Sequence, residues 1–87
     1  MKQTIKVSIQ NANNVLFEGE ATALSSFNEK GPFDVLPFHT HFISIVKNQI
    51  TVYEPTGKKQ QFPIDGGVLR VLDDVVDILL GIEVISV

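Results

Sequence analysis

What most constrains this chain is a run of short segments, alternating or wholly apolar, that turn-forming clusters repeatedly cut off. Thr4-Ile5-Lys6-Val7-Ser8-Ile9-Gln10 sets the pattern, with Ile5, Val7 and Ile9 on one face of an extended segment. It stops at Asn11-Ala12-Asn13-Asn14, and the runs VLFEGEATALSSF, FDVL and FISIVK follow, separated by NEKGP and PFHTH. Ile50 and Val52 then alternate with Gln49, Thr51 and Tyr53 up to Glu54-Pro55-Thr56-Gly57, after which KKQQFPI returns as the second arm of a hairpin. Pro63, which has no N–H to give a ladder, places its surroundings at a sheet edge or a strand end. The rhythm predicts an all-β sandwich.

One segment leaves two readings open. In VLRVLDDVVDILL, Leu69, Leu72, Val76 and Leu79 fall at helical spacing, with Arg70, Asp73, Asp74 and Asp77 off that stripe. Its Val and Ile content, the flexible Gly66-Gly67 before it and the Asp73-Asp74 pair fit equally well a hairpin between GVLRVL and VVDILL.

Composition narrows the function classes. At 87 residues with 44% hydrophobic and 20% charged content, the chain reads as a single domain over residues 1–87. A domain of this size buries only about 60 to 65% of its unfolded surface, so docking to a partner would add usefully to its stability. Seven basic against ten acidic residues give a net charge of -3, the wrong sign for binding nucleic acid or an anionic membrane. There is no cysteine, hence no disulfide framework or thiolate chemistry. No run approaches the roughly 18 apolar residues of a membrane span, and the start of the chain lacks a signal-peptide pattern.

The only two histidines, His39 and His41, flank Thr40. In an extended segment they share a face, as some metal-binding barrels require, but two imidazoles leave a ligand set half empty. No metal site is expected here. Phosphate-loop, dinucleotide and nucleophile-elbow motifs are missing, Asp65-Gly66-Gly67 reads as a turn or a close-packed crossing, and no catalytic residue or cofactor is expected.

Several blocks together resemble the N-terminal β-sandwich of the epsilon subunit of F-type ATP synthases, called delta in mitochondria. They are IKVSIQNANNVLFEGEATAL with Phe17 and Gly19 after a polar turn, a Gly-containing loop, Leu36-Pro37-x-His39, and the Gly-Gly-hydrophobic strand from Gly66. The resemblance covers nearly the whole chain. It implies a flattened β-sandwich of about ten short, mostly antiparallel strands, and it resolves the ambiguous segment as two strands. The family usually reads G-x-x-G-x-L-P-G-H-x-P, and here Asp34, Phe38 and His41 replace its second glycine, third glycine and second proline. Asn48-Gln49 also stands where the family usually has Pro-Gly.

The resemblance further implies a non-catalytic rotor subunit that clamps the gamma subunit to the membrane rotor ring and couples ion translocation to ATP synthesis. By position, Asn11, Phe38, His39, Thr40 and His41 would lie toward gamma, and Asn28, Glu29, Lys30, Gly31 and Pro32 would meet the ring. Phe38 would be either an anchor buried against gamma or a filler of the sandwich end, folded back on Phe42 or Phe33. The implied location is peripheral, on the cytoplasmic face of an energy-transducing membrane. Most members continue into a C-terminal helical hairpin where this sequence ends at Val87, which implies a clamp that does not itself inhibit hydrolysis. The competing reading is a stand-alone sandwich that binds another protein or a small ligand.

Overall fold

In the computed structural model, which describes residues 3–38 and 41–81, every regular element is a β-strand. The alternating N-terminal run is β1 (Ile5–Gln10), and Ile5, Val7 and Ile9 are buried as that alternation requires. β2 (Val15–Ala21) returns antiparallel to it. Asn11 shapes the turn between them: its Oδ1 accepts the backbone N–H of Asn13 at 2.9 Å and of Asn14 at 2.7 Å. β3 (Ala23–Asn28) and β4 (Gly31–Val35) form a second hairpin around Glu29-Lys30. Asn28 Oδ1 accepts the Lys30 N–H there at 2.9 Å, and Gly31 takes a φ of 119°, which a side chain would strain.

β5 (His41–Tyr53), β6 (Lys59–Leu72) and β7 (Val75–Leu80) complete the sheet, whose hydrogen-bonded order is β2-β1-β7-β6-β5-β3-β4. All pairings are antiparallel except that of β1 with β7. The all-β class stands, but the expected ten or so short strands are seven among the described residues. The reason is that four of the short runs are two continuous strands. FISIVK and QITVY are both β5, at 13 residues, and KQQFPI, from Lys59, and GVLRVL are both β6, at 14. The polar residues between them make bulges instead of turns: Val46 pairs with Gly67, but Asn48, at φ 70°, already pairs with Ile64.

Bulges bend a strand and increase its twist, and here they fold the sheet onto itself. One layer holds β2, β1, β7 and the halves of β5 and β6 on one side of the bulges; the other holds β4, β3 and the remaining halves. A single flat sheet with no covering helix would leave both faces wet. Instead Val7 and Ile9 of β1, Leu24 of β3, Ile50 and Val52 of β5, Leu69 of β6 and Val76 of β7 all have 0% exposure within one cluster. The shortest dimension, 20 Å, accommodates two layers about 10 Å apart. At the bend, the buried Ser26 hydroxyl donates to the Gln49 carbonyl at 2.8 Å. The irregular backbone is thereby satisfied without water.

The ambiguous segment is a hairpin. Leu72 pairs with Val75 across Asp73 and Asp74, whose φ values of 48° and 64° are those of a type I′ turn. Leu69 and Val76 point inward while Leu72 and Leu79 are exposed, as a period of two dictates and the helical stripe did not. Pro63 sits in β6 opposite Gln49, in the half that has a neighbour only on its β5 side among the described residues. That is the edge position its missing N–H calls for.

Candidate functional site

Beyond β4 the chain turns through Leu36-Pro37-Phe38, and Phe38 takes a φ of 73°. A bulky residue rarely enters this left-handed region, which glycine would reach freely. The Phe38 N–H donates to Asp74 Oδ1 at 2.7 Å, across to the β6–β7 turn.

The Phe38 side chain is 70% exposed. Phe33 and Phe42 instead meet each other edge to face, with ring centroids 5.5 Å apart. Phe38 is thus not the filler of the sandwich end, because that place is already taken. His39 and Thr40 lie outside the described residues. His41 opens β5, exposed and opposite Leu72.

From His41 the exposed surface continues along the outer face of β5. Ile43 is 71% exposed and Ile45 is 56% exposed. Strand register sets their neighbours: His41, Leu72, Val75 and Lys6 form one row; Ile43, Arg70, Asp77 and Ser8 the next; Ile45, Val68, Leu79 and Gln10 the third. Leu72, Val75 and Leu79 are also exposed, so the first row is apolar at its centre and the third is apolar except at Gln10. Between them Arg70 Nη2 meets Asp77 Oδ2 at 2.7 Å, a surface pair that contributes at most about 1 kcal/mol. The exposed apolar side chains thus lie along β5, at Ile43 and Ile45, and on either side of this ion pair.

The hairpin tip adjoins this face. Asn28 Nδ2 donates to Ser44 Oγ at 3.3 Å, and Asn28, Glu29 and Lys30 form one wall of an open groove of about 510 Å³. Phe42, Ile43, Ser44, Ile45 and Lys47 form the rest. Gly31 and Pro32 begin β4 immediately behind the tip. The tip therefore shares this groove with Ile43 and Ile45, and Phe38 lies at the β6–β7 turn, next to the row of Val75, Leu72 and His41.

Asn11 follows Gln10, at the far end of the third row, and its side chain accepts two backbone N–H groups of its own turn. The two isoleucines, by contrast, escaped the sequence reading. Their signal was the run Phe42-Ile43-Ser44-Ile45-Val46, apolar on both faces where a half-buried strand would alternate. Among the described residues no three His, Asp or Glu side chains gather where they could hold a metal ion, and no helix is long and apolar enough to cross a membrane.

The described residues thus form an all-β sandwich with exposed apolar side chains on the outer face of β5. Residues 4–82 match the family described as ATP synthase, delta/epsilon chain, beta-sandwich domain. The chain belongs to that family. It is 35% identical over 77 residues to the ATP synthase epsilon chain of Stenotrophomonas maltophilia strain K279a, covering 87% of this chain and 55% of that one. Against the ATP synthase epsilon chain of Xanthomonas euvesicatoria pv. vesicatoria the identity is 34% over 82 residues, with coverages of 93% and 59%. The chain thus spans a little over half the length of these curated relatives.

Among solved structures, a chain of the Euglena gracilis mitochondrial ATP synthase (OSCP, F1 and c-ring) matches with a TM-score of 0.81 and 25% identity, over 92% of this chain and 51% of that one. A chain from the central stalk and c-ring of the Tetrahymena thermophila enzyme shares the fold, with a TM-score of 0.71 at 10% identity, over 91% of this chain and 64% of that one.

Proposed function

We propose that this domain is a non-catalytic clamp in the rotor of an F-type ATP synthase. The Phe38–His41 corner and the adjoining Ile43–Ile45 face dock to the gamma subunit, while the Asn28–Pro32 hairpin tip meets the membrane rotor ring. Torque generated by ion flow then reaches the catalytic head without slip. The chain works peripherally, at the cytoplasmic face of the membrane, and carries no cofactor of its own.

The observation that carries this reading is the exposed apolar surface between the corner and the tip, in a member of this family. A sheet in which every described strand is hydrogen-bonded to a neighbour suits a part that must transmit force. Its two proposed contact regions differ in chemistry as their partners would. The gamma side is apolar and aromatic, whereas the tip presents Glu29 and Lys30, fitting for polar loops of a membrane ring.

Phe38 provides the direct test. A ring 70% exposed in the free domain contributes little to its fold but much to a pocket that receives it. Phe38→Ala is expected to leave the melting temperature within a few degrees and to weaken binding of the cognate gamma subunit by about 1 to 3 kcal/mol in titration calorimetry. Unchanged affinity in that titration would favour a stand-alone module with some other partner.

A further inference from the structure

The β6–β7 turn is built from a residue that is not the best one for turning. A two-residue type I′ hairpin favours glycine at its second central position, where φ is positive. Here Asp74 occupies that position, at φ 64°. Its side chain is not idle: Oδ1 accepts the Phe38 N–H at 2.7 Å, and the Asp74 carbonyl accepts the Lys6 N–H at 2.8 Å. Phe38 is itself a bulky residue in the left-handed region, at φ 73°. Two residues that glycine would suit better are therefore bonded to each other across 36 positions of sequence. Strain of this sort persists where surrounding contacts over-determine it, and it gathers at working surfaces.

We infer that Asp74 is a positioning residue for the docking corner. Its carboxylate holds the Phe38 backbone in the left-handed conformation, and that conformation directs the ring outward into solvent. A glycine at position 74 would serve the hairpin as well or better, but it could not hold Phe38. The role of Asp74 in binding rests on the reading of Phe38 as a gamma anchor given above, whereas its hold on the corner does not.

The test compares Asp74→Gly, Asp74→Asn, Phe38→Ala and the double variant Asp74→Gly/Phe38→Ala in the same chain. Asp74→Gly should keep or slightly raise the melting temperature, since the turn becomes Asp-Gly. In the same variant, hydrogen exchange at the Phe38 amide, followed by NMR, should speed up by about tenfold or more, because that donor loses its partner. Binding of the cognate gamma subunit should weaken by about tenfold, because the corner must then be ordered on docking. Asp74→Asn keeps an acceptor oxygen and should restore both exchange protection and affinity.

In the Phe38→Ala background, Asp74→Gly should cost no further affinity, because Asp74 acts through Phe38. Unchanged Phe38 exchange in Asp74→Gly would overturn the inference whatever gamma does. Normal gamma affinity in Asp74→Gly alongside a loss in Phe38→Ala would also overturn it, and would leave the docking reading intact. If Phe38→Ala binds normally, the docking reading falls, and the exchange data alone decide the hold of Asp74 on the corner.

Discussion

Gly67→Ala is expected to remove roughly half of the stability of this domain, whereas Gly66→Ala, one residue earlier, should be close to neutral. The two glycines are adjacent in sequence but not in environment. A Cβ on Gly67 would stand 2.6 Å from the Leu79 carbonyl oxygen, 2.9 Å from Leu80 Cδ2 and 3.3 Å from the Leu79 carbonyl carbon. Two of those atoms are backbone, fixed by the pairing of Val68 with Leu79 and of Gly67 with Leu80. Relief would require β6 and β7 to part beside the buried Leu69 and Ile78, and overpacking of this kind costs about 1 to 3 kcal/mol or more. A Cβ on Gly66 would meet only the Val46 carbonyl oxygen, at an ordinary 3.7 Å. The loss of unfolded-state freedom there could even add about 0.4 to 1 kcal/mol. Urea unfolding of both variants is the measurement, and equal midpoints would show that the strands can part at little cost. Against a total stability of about 5 kcal/mol for so small a domain, the Gly67 effect should be plain.

Those glycines also show where sequence reasoning reached and where it stopped. That Gly66-Gly67 marks either a turn or close packing was legible, because glycine pairs serve one or the other. Which of them bears the close approach was not, since that depends on the register of β6 against β7. The alternation in β1 carried its burial directly. The strand count did not, because Asn48-Gln49 and Asp65-Gly66 are chemically the same whether they close a turn or bulge a continuous strand. Only pairing partners distinguish the two.

The docking surface divides in a similar way. Phe38 was visible as an aromatic where glycine is usual, but its direction followed from Asp74, 36 residues away. Asn11 was visible as a contact candidate by position, and the structure adds that its side chain serves its own turn. Ile43 and Ile45 were not singled out, because hydrophobic patterning alone does not tell which of two apolar faces ends up inside.

The largest effect on assembly should come from that face. Replacing both Ile43 and Ile45 by glutamate is expected to weaken binding of the gamma subunit by about 3 kcal/mol or more, over a hundredfold, while leaving the domain folded. Both side chains are more than half exposed in the free domain, so the substitution removes little buried area. Its intrinsic cost is the lower strand propensity of glutamate, about 1 kcal/mol at most for the pair if Arg70, opposite Ile43, offsets part of it. In the complex the balance reverses. Two carboxylates would have to leave water to meet an apolar partner, and a charge buried without a counter-ion costs several kcal/mol.

The free domain should gain in another respect, because an apolar patch that is covered in the assembly is a self-association hazard when bare. Sedimentation of the variant at high concentration should therefore show less self-association than the parent. Thermal melting, sedimentation and gamma titration on one preparation separate the possibilities. A stable, monomeric variant that still binds gamma with parental affinity would move the docking surface elsewhere on the sandwich. A stable variant that has lost gamma would fix the β5 face as the place where this rotor clamp holds on.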